Sequence, residues 1–330
     1  MAEPGPLEAG LPDRRTASIA SIGTALPPTS VSTDSIAGRL GIDPDWIVQR
    51  TGIRERRIAG SGESLTALAA EAGRRALAAG GVDAADLDLV LVATFSADRV
   101  LPNAAPLVAD ELGARGAFAC DIGAACTGFL SALALASAQI ESGRADQALV
   151  IGADFCSRLT DQTDRKTAGL FADGAGAVVV GAGGEGRLGR MLLRSDARQA
   201  DCIVVEHAER LIRMRGQDTF RAAVDALSEI TIEVLAADGA EVEDIDLFVY
   251  HQANARITRA VGERLALPPE RVVDCIELIG NTSAATLPLA LDHAAGQGRL
   301  QPGSRVLMAA FGAGLAWGAG LMSWHGEVAT

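Results

Sequence analysis

The chain has 330 residues, 48% of them hydrophobic and 4% aromatic, and a formal net charge of −13. That length and apolar content supply an ample core for one large domain or two and exclude disorder over most of the chain. The acidic balance argues against nucleic acid as a partner.

Five cysteines, at 120, 126, 156, 202 and 275, show no C-x-x-C spacing. Neither a disulfide framework nor a zinc site is indicated, and no metal is expected. Met1–Arg15 is rich in Pro, Gly and acidic residues and lacks an apolar run, which predicts a mobile tail and no signal peptide. No stretch approaches the ~18 uncharged apolar residues of a membrane helix, so no membrane partner and a cytoplasmic location are expected.

After the tail, Ala17–Ile22 predicts a strand stopped by Gly23, and Thr33–Leu40 a short helix. Asp45-Trp-Ile-Val-Gln-Arg50-Thr-Gly-Ile-Arg54 places Trp46 inside a local arginine cluster, which reads either as an anion site or as a solvated surface helix. Ser64–Ala79 has helical periodicity and ends at Gly80-Gly81. Asp86–Ala93 is a continuous apolar run that suits a strand buried on both faces, and Pro102–Leu112 a helix.

Asp121-Ile-Gly-Ala-Ala-Cys126-Thr-Gly-Phe-Leu130 is a small-residue turn feeding an apolar helix that Gly143 closes. Cys126 then lies near a helix N-terminus, where unpaired N–H groups and the dipole favour thiolate over thiol. It also reads as a small buried hydrophobe. Ala148–Gly152 and Gly174–Gly181 are further strands. Gly181-Ala-Gly-Gly-Glu-Gly186 matches the dinucleotide pattern, but that reading needs a helix next. Arg187–Arg194 reads instead as a hairpin partner.

The second half repeats the first. Phe220–Ala237 is a long helix followed by Asp244–Tyr250, which has the pattern of Asp86–Val92. Asn281-Thr-Ser-Ala-Ala leads into a Leu/Ala helix, Gly298-Arg299 and the strand Val306–Ala310, as Cys126-Thr-Gly leads into a helix, Gly143-Arg144 and the strand Ala148–Ile151. The chain reads as an internal duplication, with halves over 16–183 and 184–330. Mostly parallel sheets covered by helices follow. In that alignment Cys126 and Asn281 occupy corresponding helix starts. His251 follows a strand inside His251-Gln-Ala-Asn254-Ala-Arg256. A cysteine, a histidine and an asparagine at element ends suit catalysis on an α/β scaffold. Taken singly, each also has a structural reading as a core or turn residue.

Seven separated motifs together resemble β-ketoacyl-acyl-carrier-protein synthase III, of the thiolase superfamily, from about Ser18 to Trp324. They are the Trp46 stretch, Ala-Ala-Cys126-Thr-Gly-Phe, Thr163-Asp-Arg165, Phe171-Ala-Asp-Gly-Ala-Gly, His251-Gln-Ala-Asn, Gly-Asn281-Thr-Ser-Ala-Ala and Phe311-Gly-Ala-Gly-Leu-Ala-Trp-Gly. The resemblance implies an α/β, thiolase-like five-layer αβαβα fold, a homodimer and a Cys126, His251, Asn281 triad.

It further implies that Cys126 is acylated from acyl-CoA, and that malonyl-acyl-carrier-protein then loses CO2 and condenses with the acyl group. The N–H groups of Cys126 and Ala313 form the oxyanion hole, where the family usually has glycine at 313. Trp46 and Arg165 sandwich the CoA adenine, and Arg50, Gly216, Phe220 and Asn254 line the path inward. Leu101 reaches the partner's acyl pocket, which Phe171 also lines. Arg256, Arg259, Arg213 and Arg215 meet an acidic carrier protein. No metal or organic redox cofactor is called for. A starter-unit synthase or acyltransferase of a polyketide pathway is the alternative. Thiol hydrolases share the order Cys…His…Asn, but their Cys-Gly-Ser-Cys-Trp setting is missing.

Overall fold

The computed structural model describes residues 15–329. The tail expected over 1–15 lies, apart from Arg15, outside the described residues.

β1 (Ala17–Ala25) opens the chain. A ribbon of β2 (Ser30–Ser32) and β3 (Glu55–Arg57) encloses α1 (Thr33–Leu40) and α2 (Pro44–Thr51). Both helices start on side-chain caps, Ser32 to Ser35 N and Asp43 to Asp45 N, and end on left-handed Gly41 and Gly52. α3 (Leu65–Gly80) follows its Ser64 cap. Then come β4 (Leu89–Ala93), α4 (Ala104–Leu112), β5 (Phe118–Ile122), α5 (Gly128–Glu141), β6 (Gln147–Phe155) and β7 (Asp173–Ala182).

The second half has β8 (Arg187–Ser195), the short pair β9 (Ile203–Val205) and β10 (Ile212–Met214), and α6 (Gly216–Asp238). β11 (Leu247–Tyr250), α7 (Ala255–Arg264), α8 (Ile276–Ile279), α9 (Thr286–Gly296), β12 (Arg305–Gly312), β13 (Ala316–Ser323) and β14 (Glu327–Val328) complete it. Among the described residues no helix is long and apolar enough to cross a membrane.

Two sheets form, ordered β14-β1-β7-β6-β4-β5 and β11-β12-β13-β8. Along β1-β7-β6-β4 the pairings run antiparallel, antiparallel, parallel. Along β8-β13-β12-β11 they run in the same sequence. The repeat seen in the sequence is thus a repeat of topology. The expected mostly parallel sheets are in fact mixed. β12 and β13 are joined by Ala313–Leu315 alone, and so short a connection permits only an antiparallel pair. β8 also differs from expectation. Both edges of β7 are taken by β1 and β6, so β8 does not fold back as its hairpin partner and starts the second sheet beside β13.

α3 and α4 cover one face of the first sheet, α5 and α9 fill the space between the sheets, and α6 covers the far face of the second. Strands β4, β6, β7 and β11 are therefore apolar on both faces. With few aromatic residues, the core is held by close approach. Alanines 69, 72 and 76 of α3 are buried, and a Cβ on Gly23 of β1 would lie 2.2 Å from Ala76 N. Small residues there let helix and sheet backbones touch, which maximises dispersion contacts.

Candidate active site

β5 leads into Gly123 and Ala124, then one 3₁₀ turn over Ala125–Thr127, and α5 starts at Gly128. Ala125 has φ 44°, the left-handed region that alanine avoids at a cost of about 1–2 kcal/mol. The strain is held by tight neighbours. Thr127 Oγ1 donates to Ala124 O at 2.8 Å. A Cβ on Gly312 would lie 2.9 Å from Cys126 Cβ, so only glycine lets β12 run this close to the turn.

The second half builds the same device. A 3₁₀ turn over Ser283–Ala285 precedes α9, and Ser283 has φ 53°. Its close neighbour is Gly152 of β6, where a Cβ would lie 2.3 Å from Ala284 O. The structural counterpart of Cys126 is therefore Ala284. This corrects the pairing of Cys126 with Asn281, which lies three residues ahead of Ala284. Asn281 is pinned in its own place by backbone bonds, its N–H donating to Leu170 O and its O accepting from Ala172 N, in a bridge beside Phe171.

The Ser283 turn brings Cys126, His251 and Asn281 together. Ser283 Oγ lies 3.5 Å from Cys126 Sγ, Ser283 N–H donates to Asn281 Oδ1 at 3.0 Å, and Thr286 Oγ1 is 2.6 Å from His251 Nδ1. His251 extends the β11–β12 ladder, its N–H donating to Ala309 O at 2.8 Å. His251 and Asn281 are buried, yet His251 Nε2 and Asn281 Nδ2 have no hydrogen-bond partner among the described residues. Neither atom is fully enclosed, so both stay free to bond a ligand.

Burial pushes the Cys126 thiol up to about 11, with the Asp154 carboxylate adding to it and Ser283 Oγ opposing. That direction runs against the thiolate expected. Desolvation is the largest cause, and the sulfur sits on the 3₁₀ turn that precedes α5. Burial likewise lowers His251 to about 3, so its ring is neutral.

Sequence reasoning missed Asp154, Ser283 and Thr286. Asp154, next to last in β6, collects Thr94 Oγ1 at 3.0 Å, Phe95 N–H at 3.0 Å, Ser96 Oγ at 2.7 Å and Ala284 N–H at 3.3 Å. A lone carboxylate in an apolar strand was the available signal.

Beside α2, the Arg50 guanidinium stacks 4.2 Å from the Trp46 ring centroid and that of Arg165 lies at 5.8 Å. Asn254 Nδ2 donates to Arg50 O at 2.8 Å, while Asn254 Oδ1 caps α7. A Cβ on Gly52 would lie 2.4 Å from Ala255 Cβ, so α2 and α7 meet here. On α7, Arg256 stacks 5.4 Å from the Phe220 ring of α6, which starts at Gly216. Trp46, Arg50, Arg165, Asn254, Arg256 and Phe220 thus flank one seam.

Phe171 is buried beside Asn281. Leu101 is not brought to this cluster; it is 77% exposed, next to Val100 at 84%. Ala313 follows Gly312, and its φ lies outside the left-handed region. Among the described residues Arg256 and Arg259 carry no ion pair, whereas Arg213 pairs with Asp161 and Glu209, and Arg215 with Asp218 at 3.7 Å. The glycines of 181–186 are followed by strand β8, not by the helix that a dinucleotide site needs.

Residues 120–197 match the family described as 3-oxoacyl-[acyl-carrier-protein] synthase III, and 235–324 match its C-terminal part. The chain is 45% identical to β-ketoacyl-[acyl-carrier-protein] synthase III 2 of Streptomyces coelicolor, over 95% of each chain. The solved 3-oxoacyl-(acyl carrier protein) synthase III of Pseudomonas aeruginosa PAO1 superposes with a TM-score of 0.91 at 42% identity, covering 95% of this chain and 100% of that one. The priming β-ketosynthase of the R1128 polyketide pathway gives a TM-score of 0.91 at 35% identity, over 98% and 99%. With two topologically repeated halves, a thiolase-like five-layer αβαβα fold and this match along nearly its whole length, the chain belongs to the 3-oxoacyl-[acyl-carrier-protein] synthase III family of condensing acyltransferases.

Proposed function

We propose that the chain transfers an acyl group from acyl-CoA to Cys126 and condenses it with malonyl-acyl-carrier-protein, releasing CO2 and starting a fatty-acid chain. The observation that carries this reading is the Ser283–Thr286 segment, which hydrogen-bonds the neighbourhoods of Cys126, Asn281 and His251 at once. Cys126 Sγ attacks the thioester carbon, its proton leaves with CoA as the free thiol, and the backbone N–H groups of Cys126 and Ala313 hold the oxyanion. The open Nε2 of His251 and Nδ2 of Asn281 then face the malonyl thioester oxygen. Hydrogen bonds there stabilise the enolate left by CO2, whose carbon attacks the acyl-Cys126.

Trp46 and Arg165 stack on the adenine, and Arg50, Gly216, Phe220 and Asn254 line the pantetheine path. Arg165 must back away, because 5.8 Å is less than two stacking distances of about 3.5 Å each. Phe171 and the partner subunit's Leu101 wall the acyl pocket of a cytoplasmic homodimer. The halves 16–183 and 184–330 are the duplicated units, and the reaction as written uses no metal or organic redox cofactor.

The likeness to a polyketide priming ketosynthase supports a second reading, in which the acyl primer belongs to a specialised pathway. Intact-protein mass after incubation with a panel of acyl-CoAs tests both. One acyl adduct per chain on wild type and none on Cys126→Ala is expected, and the best primer separates the two readings. No adduct with any acyl-CoA overturns the first half-reaction.

A further inference from the structure

The proposed reaction asks opposite things of His251, and the inference here rests on that reading. In the first half-reaction the Cys126 proton travels to the departing CoA sulfur, and a neutral imidazole can carry it only with a lone pair at Nε2. In the second, Nε2 has to carry a proton and donate to the thioester oxygen. Nothing titratable among the hydrogen-bond partners of His251 performs that change. Its Nδ1 faces a single group, Thr286 Oγ1, at 2.6 Å.

Thr286 Oγ1 also lies 3.0 Å from Ser283 O, an atom that already accepts the Thr286 backbone N–H. One hydroxyl proton thus has two acceptors in reach. The carbonyl keeps a donor whichever way the hydroxyl turns, so turning leaves no backbone group unsatisfied.

We propose that Thr286 is a positioning residue whose hydroxyl rotor sets the tautomer of His251, and so divides one histidine between two half-reactions. In the first state the hydroxyl donates to Ser283 O and accepts from His251 Nδ1–H, leaving a lone pair on Nε2. Two hydrogen bonds form, so this is the state of the free enzyme. As Cys126 Sγ bonds to the acyl carbon, Nε2 takes the thiol proton. As the C–S bond to CoA breaks, Nε2 returns that proton to the departing sulfur, and His251 is neutral again.

In the second state the hydroxyl donates to Nδ1, and Nε2–H points into the cleft. Only one hydrogen bond forms within the protein. The second is made to the malonyl thioester oxygen, so substrate binding selects this state. The tautomer change balances as one proton leaving Nδ1 for water and one taken up from water at Nε2.

Thr286→Val keeps the shape and removes the rotor; Thr286→Ser keeps the rotor. The chain has four histidines, at 207, 251, 293 and 325. In ¹⁵N-histidine-labelled protein the His251 ring signals are therefore identifiable by their loss in His251→Ala. Free wild type and Thr286→Ser should show Nδ1 protonated, and Thr286→Val should show Nε2 protonated, because a buried Nδ1–H would have no acceptor.

Acyl transfer to Cys126 should fall by about 10- to 100-fold in Thr286→Val, with malonyl decarboxylation changed by less than about 3-fold, and Thr286→Ser should restore both. Wild type with Nδ1 unprotonated overturns the proposal, even should Thr286→Val fail to fold. So does equal loss of both half-reactions in Thr286→Val, or an unchanged ratio between them. A wild-type enzyme that accepts no acyl-CoA overturns the functional reading, while the tautomer signals still decide the rotor.

Discussion

Asp154 and Ala284 sit on opposite halves of the chain, and the Ala284 N–H donates to Asp154 Oδ2 across 3.3 Å. The other oxygen, Oδ1, accepts the Phe95 N–H at 3.0 Å. One buried carboxylate therefore clamps the turn that carries Ser283 to the strand end beside Cys126.

An asparagine at 154 can satisfy only one of those two fixed N–H groups, because its amide NH₂ faces the other whichever way it flips. Asp154→Asn is expected to cost about 1–3 kcal/mol and to slow acylation of Cys126. Burial pushes Asp154 up to about 6, from an ordinary value near 4. A raised folded-state value means the native state binds the extra proton. Its contribution is present below about pH 4 and is lost as pH rises through about 6, by roughly 3 kcal/mol at most. Denaturant unfolding of the pair should thus show a larger deficit for Asp154→Asn at pH 5 than at pH 7.5; a larger deficit at pH 7.5 would contradict the assigned shift.

The resting thiol makes a second expectation. With Cys126 pushed up to about 11, only about one molecule in 10⁴ is thiolate at pH 7. Alkylation of Cys126 by iodoacetamide, followed at its own peptide, should climb with pH well beyond 9. Ser283→Ala removes the hydroxyl 3.5 Å from the sulfur and should move the curve further up. A plateau near pH 7 would mean the free enzyme holds a thiolate after all.

Much of this site was legible in the sequence. Cys126 and Asn281 stand beside small residues and His251 directly after an apolar run, and such runs announce buried strands and helices. The groups that tune the three were not legible. Thr286 and Ser283 look like ordinary helix-start residues, and their partners, His251 and Cys126, are 35 and 157 positions away. The direction of β8 was hidden for a related reason. Which strand it joins depends on β1 and β6 having already occupied both edges of β7, a fact of tertiary assembly. The desolvation that opposes a thiolate at Cys126 is not written in local pattern.

Backbone approach supplies a third test. A Cβ on Gly312 would meet Cys126 Cβ at 2.9 Å and Cys126 N at 3.1 Å, so Gly312→Ala must displace the turn or the strand. A loss of about 1–3 kcal/mol in stability is expected, with acylation reduced at least 10-fold. Its neighbour should behave differently. Ala313 needs no left-handed backbone, so Ala313→Gly keeps the N–H and should change acylation by less than about 3-fold. Equal defects in the two variants would show that the side chain at 313, not the close approach at 312, shapes the site.

The arginines expected to meet a carrier protein are not equivalent. Arg213 is paired with Asp161 at 3.0 Å and Glu209 at 3.1 Å, while Arg256 and Arg259 have no acidic partner among the described residues. A charge already neutralised adds little to a docking field. Arg256→Ala and Arg259→Ala should each raise KM for the carrier substrate by about 3- to 10-fold, more at low salt than at high, and Arg213→Ala by less than about 2-fold. The acyl-CoA half-reaction, run without carrier, should separate the two free arginines, because only Arg256 lies beside Phe220, which the proposed function places on the pantetheine path. The same KM change in all three variants would remove ion pairing as the criterion.

Leu101 stands 77% exposed on a tip next to Val100, an apolar pair that a single chain gains nothing by presenting to water. In the homodimer proposed here the tip crosses into the neighbouring acyl pocket, where its volume limits primer length. Leu101→Trp should leave the folding stability of the chain within about 0.5 kcal/mol, since the side chain packs into none of its own cores. The acyl-CoA panel should nevertheless shift toward shorter primers, with the longest primer accepted by wild type losing at least 10-fold in adduct formation. Leu101→Ala should shift the preference toward longer or branched primers. An unchanged primer profile in both variants would place the tip outside the pocket and return the control of chain length to Phe171 and its neighbours within one subunit.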